Sequence, residues 1–505
     1  PDWTNPDSLT LMGRPRLFCG ITAGNLDSML SHYTAARRKR KEDAYTPGGA
    51  IGKRPNLASV VYTQLAKKAF PGITTVSGGI EASLRRTAHY DYWQDKLRPS
   101  ILADAKADLL IYGMGERAIR EVARRLGNPA RPSLRSGHPS DGGDSDQSPP
   151  AEGCPKGGVG LNGIPGTARF LGGKETTVLK QDSSGQAGSL RYVSQASSLP
   201  CEFVELPSFE ECKADKKAVL ELTRLTEREQ NPFSGKPLVQ KHGARAVWIE
   251  PPAEPLSTEE MDRVYELPYT RAAHPSYKEK IPAYVMIKES VTVVRGCGGG
   301  CTFCGLGLHQ GRFLSSRSED SVVREVQTIA EQPWFRGTIT DVGGPTANLY
   351  GCVNGVCEAC KTCKRASCLY PQICPNLELD AKSAIRLMKR VRDLERVKHV
   401  FVQSGIRMDV ALRTPEYIRE LAKYHTSGHL KVAPEHMHEE VLKKMRKPGP
   451  HCFLEFQKAF EEESRKAGKK QYLVPYFISN FPGSTEKEMK AVEQFVKEEE
   501  WKLQQ

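Results

Sequence analysis

From residue 286 onward, apolar positions recur in two alternating rhythms. Short runs suited to strands fall at 290–295, 337–342, 399–404, 429–433 and 471–479. Stretches with helical spacing fall at 318–331, 381–394, 414–424, 451–467 and 485–500. In the first helical stretch Val322, Val323, Val326, Ile329 and Ala330 share one face, and in the third Tyr417, Ile418, Leu421 and Ala422 do so. That spacing marks an amphipathic helix with one buried stripe. Successive βα units joined by right-handed crossovers curl into a barrel or part of one. The α/β pattern therefore predicts a (βα) barrel or part of one over 286–505.

Residues 1–127 alternate in a similar way. Leu17–Ile21 is a short apolar strand, and Val60-Val61-Tyr62 opens a mixed segment ending in Ala69-Phe70-Pro71. Thr74–Gly79 reads as strand then turn, and Asp108–Gly113 as a buried strand. Glu116–Leu126 carries a helical stripe of Ala118, Ile119, Val122 and Ala123. This order predicts a parallel, doubly wound sheet. Residues 128–200 change character. Ser136–Gln147 and Ser148–Gly160 are rich in Ser, Gly, Asp and Pro, too polar to offset ordering entropy. They predict an exposed, mostly disordered insert, with Gly163–Ala168 as an island. Within the connector at 201–285, Asp215–Arg228 reads as a helix and the remainder as an extended linker with proline-marked turns and no chemistry.

Charge and cysteine usage narrow the picture. No run of 18 apolar residues exists, so no membrane span is expected, and Pro1–Thr10 is too polar for a signal peptide. The net charge of +13 includes the run Arg37-Arg38-Lys39-Arg40-Lys41. Such a run is either a solvated face or a contact for RNA or a phosphorylated ligand. Of fourteen cysteines, nine lie between Cys297 and Cys374. Clustering of this kind argues for metal or cluster ligation in a reducing, intracellular compartment.

The sharpest chemistry lies in Arg295-Gly296-Cys297-Gly298-Gly299-Gly300-Cys301-Thr302-Phe303-Cys304. The spacing C-x3-C-x2-C brings three thiolates to three corners of one small inorganic cube and leaves the fourth iron open. Glycines between them let the backbone wrap tightly. Cys297, Cys301 and Cys304 are the candidate ligands. The competing reading is a structural zinc site, which takes four donors where this stretch offers three.

C-x3-C-x-F-C resembles the signature of radical S-adenosylmethionine (radical SAM) enzymes. Tyr45–Gly49, Gly78–Arg86, Ser315–Ser318, Asp341–Asn348 and Lys431–His436 are similar to the YgiQ family of those proteins. The resemblance implies a 4Fe–4S cluster binding S-adenosyl-L-methionine, a deoxyadenosyl radical that abstracts hydrogen from an unknown substrate, and a reductant protein such as a flavodoxin or ferredoxin. It implies a partial radical SAM barrel of six units, of which five are readable. Ahead of it, the resemblance implies an incomplete Rossmann-like, cobalamin-binding-type domain, because the family has a further βα segment before the Pro1 position. Gly113-Met114-Gly115-Glu116 sits at a turn such domains carry, but no Asp-x-His-x-x-Gly motif exists, so bound cobalamin is not expected.

The resemblance also suggests roles for individual residues. Phe303 would pack on the cluster or adenine, unless it is simply core. Gly343, Gly344 and Pro345 occupy the superfamily's Gly-Gly-Glu position, which holds the methionine amino group, or else form a tight turn. Ser404 would meet the ribose or methionine portion. Arg407 would take the methionine carboxylate or pair with Asp409 at the surface. Pro482 and Gly483 resemble an adenine-contacting turn. Lys431, Glu435 and His436 are the candidate catalytic residues or a structural set, with Lys431 pointing into the barrel by strand alternation. Cys352, Cys363, Cys368 and Cys374 match family positions and would hold zinc or an auxiliary cluster, while Cys357 and Cys360 look extra. The alternative function is a non-catalytic, zinc-containing, basic RNA-binding protein.

Overall fold

The computed structural model describes residues 2–127, 161–171, 190–192, 201–355 and 357–499. The chain divides into two units. The first comprises Pro1–Asp27, Leu57–Leu222 and Lys236–Ala253. Its strands are β1 (Cys19–Thr22), β2 (Thr75–Gly78), the hairpin β3 (His89–Asp91) and β4 (Lys96–Arg98), β5 (Leu109–Ile111), β6 (Thr167–Phe170), β7 (Leu190–Tyr192), β8 (Cys201–Leu206), β9 (Leu238–His242) and β10 (Arg245–Ile249). Eight of them form one mixed sheet in the order β1-β2-β5-β6-β10-β9-β8-β7.

The pairings separate what local pattern foretold from what it did not. β1, β2 and β5 are parallel neighbours, with helices Ala58–Ala69 and Glu116–Gly127 following β1 and β5. The mixed segment at Val60 is that first helix, burying Val60, Leu65 and Ala66. Beyond β5, and outside residues 1–127, the sheet becomes mixed, because β6 joins β5 and β10 antiparallel. The reading of the connector as linker fails. β9 and β10 form an antiparallel hairpin in that sheet, and β8 pairs parallel to β9. Polar Gln240 masks β9, yet it is fully buried; its amide takes Ala88 N–H at 2.7 Å and donates to Pro207 O at 2.9 Å. Within the island Gly163–Ala168, Ile164, Gly166, Thr167 and Ala168 are buried while Gly163 and Pro165 are exposed. The segments 136–147 and 148–160 lie outside the described residues.

The second unit comprises Ser28–Asn56, Thr223–Gly235 and Glu254–Gln505. Here the βα rhythm holds. β11 (Ser290–Thr292) pairs parallel with β15 (Asp341–Gly343), and β12 (Val294–Arg295) pairs antiparallel with β13 (Ser315–Ser316). β14 (Thr338–Ile339) pairs parallel with β16 (His399–Val400), and β17 (His429–Glu435) with β18 (Tyr472–Phe477). Helices Glu319–Ala330, Ala381–Arg392, Pro415–Glu420, Pro450–Lys466 and Glu486–Glu498 alternate with these strands. The stripes read from the sequence form the core: Val322, Val326 and Ile329 pack with Leu387, Tyr417, Leu421, Phe453, Phe456 and Phe495 against Val342, Leu430 and Val432. Among the described residues no helix is long and apolar enough to cross a membrane.

Candidate cluster site

The cysteine loop leaves β12 and returns in β13, so the antiparallel pair clamps its ends. At Gly296 φ is +82° and a β-carbon would lie 2.0 Å from Phe313 O, which only glycine avoids. Gly300, at φ +59°, faces Ala366 O in the same way, at 2.3 Å from a β-carbon. Ser367 Oγ donates to Gly299 O at 2.7 Å and Cys368 N–H to Gly298 O at 2.8 Å. On the other side Thr302 N–H and Oγ donate to Met445 O and Lys444 O, and Arg446 donates to Gly300 O at 3.2 Å. The loop is held from both sides before any ligand enters.

Two of the three sulfurs, those of Cys297 and Cys301, meet a buried cation at its centre. A β-carbon on Gly299 would sit 3.4 Å from Cys297 Sγ, 3.7 Å from Cys301 Sγ and 3.5 Å from Arg407 Nη1. Cys297 Sγ also lies 3.5 Å from Thr346 Oγ1. Arg407 is 6% exposed; Nε and Nη2 grip Asp409 at 2.9 and 2.5 Å, while Nη1 is buried with no hydrogen-bond partner. Asn348 fixes its backbone, accepting Arg407 N–H and donating to Arg407 O, both at 2.8 Å. Buried Lys447 donates to Ala433 O at 2.7 Å and lies 3.9 Å from Glu435.

The charges are mutually dependent. Burial pushes the Cys301 and Cys304 thiols up; Lys447 and Arg407 draw Cys301 back down. Burial opposes the Arg407 charge, but Asp409 outweighs it and the guanidinium is held more firmly protonated than usual. Lys447 is pulled down by burial and then by Arg407, and Glu435 is pushed up by burial against the pull of Lys447. Three thiols, two cations and one orphaned donor fit an anionic, sulfur-ligated group. Among the described residues no three Cys, His, Asp or Glu side chains converge as a single ion requires. A cubane sets its thiolates wider apart, because each binds a different iron.

The other sequence candidates fare unequally. Glu435 joins the site, at a register shift in β17 and with φ +71°. Lys431 lies on the opposite face from buried Leu430 and Val432, as alternation requires, but it is exposed, so the expectation of a buried lysine is corrected; the buried one is Lys447. His436 is fully buried and lines the same cavity as Arg407, Asp409 and Lys447, with its Nδ1 accepting His438 N–H at 2.9 Å and its Nε2 facing Ser484 Oγ at 3.5 Å. Ser404 Oγ and N–H both donate to Asp341, so its hydroxyl proton is already committed. The glycines at 343 and 344 make room for Ser404 and Val294 O, with Pro345 half-buried beside them. The Arg407–Asp409 pair exists, but in the interior rather than at the surface. Phe303 is 37% exposed and is not core. Gly483, at φ +85° beside exposed Pro482, accepts from Lys444 Nζ at 3.0 Å. Sequence reasoning missed Thr346, Asn348, Arg446 and Lys447. The first two stood inside a motif already singled out, and the last two lay outside every stretch singled out from the sequence.

In the second cysteine group, Cys368 and Cys374 pack against the apolar cluster that holds Cys352. Cys352 is buried with Leu349, Leu369, Leu377 and Val410, its Sγ taking Asp380 N–H at 3.4 Å. Cys363, Cys368 and Cys374 interact electrostatically, and Arg312 and Asn354 relieve the burial that pushes Cys368 up. The two extra cysteines are the closest pair, with Cys357 Sγ 3.1 Å from Cys360 Sγ.

Comparison with known proteins places the sequence among radical SAM proteins. Residues 1–290 match the radical SAM N-terminal family and 291–496 the radical SAM superfamily. The chain is 44% identical over 524 residues to the UPF0313 protein YgiQ of Escherichia coli, covering all of this chain and 69% of that protein. A UPF0313 protein of Yersinia pestis is 45% identical over 519 residues, again over the whole chain but 65% of the relative, so the chain spans about two thirds of these curated relatives. Among solved structures, the radical S-adenosylmethionine methyltransferase TsrM from Kitasatospora setae, with cobalamin and a 4Fe–4S cluster bound, aligns at TM-score 0.47 and 14% identity over 96% of this chain and 60% of that one.

Proposed function

Because this chain belongs to the UPF0313 (YgiQ) family of radical SAM proteins, we propose that it is a radical SAM enzyme whose cluster ligands are Cys297, Cys301 and Cys304. These three thiolates would hold a 4Fe–4S cluster, which with S-adenosyl-L-methionine bound would supply one-electron cleavage of the sulfonium bond and a deoxyadenosyl radical for hydrogen abstraction. In this reading 286–505 is the catalytic partial barrel and 1–127 begins a Rossmann-like domain. The protein works in a reducing intracellular compartment, with a flavodoxin- or ferredoxin-like reductant.

The residues divide the remaining work. Arg407 and Lys447 offset the charge of the thiolates and favour their deprotonated form. Asp409 and Asn348 keep the guanidinium in place. Glu435, its carboxyl held up by burial, retains a proton more readily than an exposed glutamate and is the candidate proton carrier beside the sulfurs. Gly343, Gly344, Pro345 and Ser404 line the strand ends assigned to the methionine portion, and Phe303, Pro482 and Gly483 those assigned to adenine. Lys431 is assigned to the substrate side, and His436 positions the turn after β17. Cys363, Cys368 and Cys374 remain the candidate donors of a second metal or cluster.

The observation that carries the reading is the orphaned Nη1 of Arg407, buried against Cys297 and Cys301. The test is anaerobic reconstitution followed by iron, sulfide and deoxyadenosine analysis. Iron, sulfide and deoxyadenosine from S-adenosyl-L-methionine under strong reductant are expected, with all three absent from the Cys297→Ala/Cys301→Ala/Cys304→Ala variant. A colourless, zinc-loaded protein that binds RNA in a salt-sensitive manner would replace this reading with the RNA-binding one. Spectra recorded with added hydroxocobalamin decide whether the first unit takes that cofactor.

A further inference from the structure

The pair Cys357 and Cys360 belongs neither to the cluster loop nor to the family-matched quartet. It lies at the start of the short helix Glu358–Thr362, with Cys357 as the residue that caps it. Cys357 Sγ accepts Cys360 N–H at 3.3 Å and lies 3.1 Å from Cys360 Sγ. Cys357 is half-buried and reachable, whereas Cys360 is 9% exposed.

The turn is built to hold this arrangement. Buried Asn231 donates through one amide nitrogen to three of its carbonyls: Cys360 O at 2.9 Å, Lys361 O at 3.2 Å and Cys363 O at 2.9 Å. Arg312 adds a fourth anchor at Cys363 O, at 2.6 Å. Lys364 reaches back to Glu229 and Ser234 O, both at 2.9 Å. The Asn231-Pro232 step of the connector, which carried no evident role, thus fixes the cysteine turn.

Geometry decides between a metal and a bond. Two thiolates on one tetrahedral zinc at about 2.3 Å stand roughly 3.8 Å apart. These two are closer than that, and among the described residues no third donor joins them. A disulfide needs about 2.05 Å between the sulfurs, a movement of roughly one ångström that side-chain rotation supplies.

We propose that Cys357 and Cys360 form a reversible dithiol–disulfide couple that exchanges with external disulfides. The thiolate of Cys357, the reachable sulfur, attacks an external disulfide such as glutathione disulfide. One S–S bond breaks, a mixed disulfide forms on Cys357, and the first glutathione leaves as thiolate. Cys360 then gives up its proton and displaces the second glutathione. The two protein thiols are oxidised by two electrons, and the external disulfide is reduced to two thiols.

The test uses the full chain before iron reconstitution, so it does not depend on the cluster. The protein is equilibrated anaerobically across ratios of reduced to oxidised glutathione, acid-quenched and unfolded in denaturant so that every free thiol is alkylated, and the tryptic peptide Gly337–Lys361 is sequenced by mass spectrometry. That peptide also contains buried Cys352 as an internal control. The expected result is a reversible loss of two hydrogens assigned to Cys357 and Cys360, with Cys352 still alkylated. In Cys360→Ser a glutathione adduct stays on Cys357, and in Cys357→Ser the adduct is lost. Alkylation of both sulfurs at every ratio, pairing of either with Cys363, or protection that only a chelator releases would each overturn the proposal.

Discussion

The cluster loop and the cysteine-rich segment at 352–374 are two answers to one composition. Both carry several thiols within a few residues, and both are tied down by backbone hydrogen bonds. In the loop the sulfurs face a guanidinium with a donor left over, and Lys447 stands behind it. In the segment the sulfurs are answered locally: Cys357 by Cys360 and its amide, Cys363 by Arg365 N–H at 3.4 Å, and Cys368 by Asn354 at 3.5 Å. Spacing sets how near sulfurs can come, while unsatisfied neighbours indicate what they are prepared to hold.

The strongest way to break that contrast is Arg407→Ala. It removes the orphaned donor and leaves Asp409 charged in the interior. Losing one partner of a buried pair costs about 3–5 kcal/mol, read as a lower urea midpoint. Iron bound after reconstitution should fall with it. Arg407→Lys keeps a charge but not the two-pronged grip on Asp409, so it should recover part of the stability. Unchanged iron in Arg407→Ala would mean that the free donor has no part in the cluster's environment.

Gly300→Ala should come next. The residue sits at φ +59° and its β-carbon would meet Ala366 O. Strain of this kind costs on the order of 1–3 kcal/mol. It also pries the cluster loop from the 366–368 segment, so iron uptake should slow even where the chain remains folded. Equal stability and uptake would show that the two cysteine regions are not mechanically joined.

A pH series of thiol alkylation on the iron-free chain sharpens the comparison further. The contact with Cys360, then backbone N–H groups, pull the Cys357 thiol down, while burial pushes Cys301, Cys304 and Cys352 up. The thiolate is the reactive form. Labelling should therefore begin at Cys357 at the lowest pH, and the other three should follow only as pH rises past the ordinary thiol range. The same sign makes iron uptake faster at higher pH, since ligation releases the thiol protons.

Legibility followed the range of the contacts. The helices of the second unit were readable because Val322, Val326 and Ile329 repeat on one face, a signal contained in a single turn-by-turn pattern. The ligand cysteines were readable because all three lie on one loop. β9 was not, since Gln240 is buried by partners more than thirty residues away on either count. Lys447 sits between Arg446 and Pro448 and looks solvated; only the fold brings it to Ala433 and Glu435. Spacing leaves the grouping of Cys352 with Cys363, Cys368 and Cys374 open for a related reason: it cannot tell that Cys352 lies among Leu349 and Val410 with Cys368 and Cys374 packed beside them, while Arg312 reaches Cys363 and Cys368.

Cys352→Ala is the mildest change and bears on the part of the contrast that spacing left open. If Cys352 is a core residue, removing its sulfur leaves a small void among Leu349, Leu369, Leu377 and Val410. The cost should be about 1 kcal/mol, seen as a small drop in urea midpoint, and total metal after reconstitution should not change. Valine at the same position should recover most of the loss, because an apolar side chain refills the space. If instead Cys352 swings toward Cys363, Cys368 and Cys374 to complete a donor set, both variants lose the same complement of metal, and valine is no better than alanine. The two outcomes separate cleanly, because packing responds to volume and ligation responds only to the sulfur.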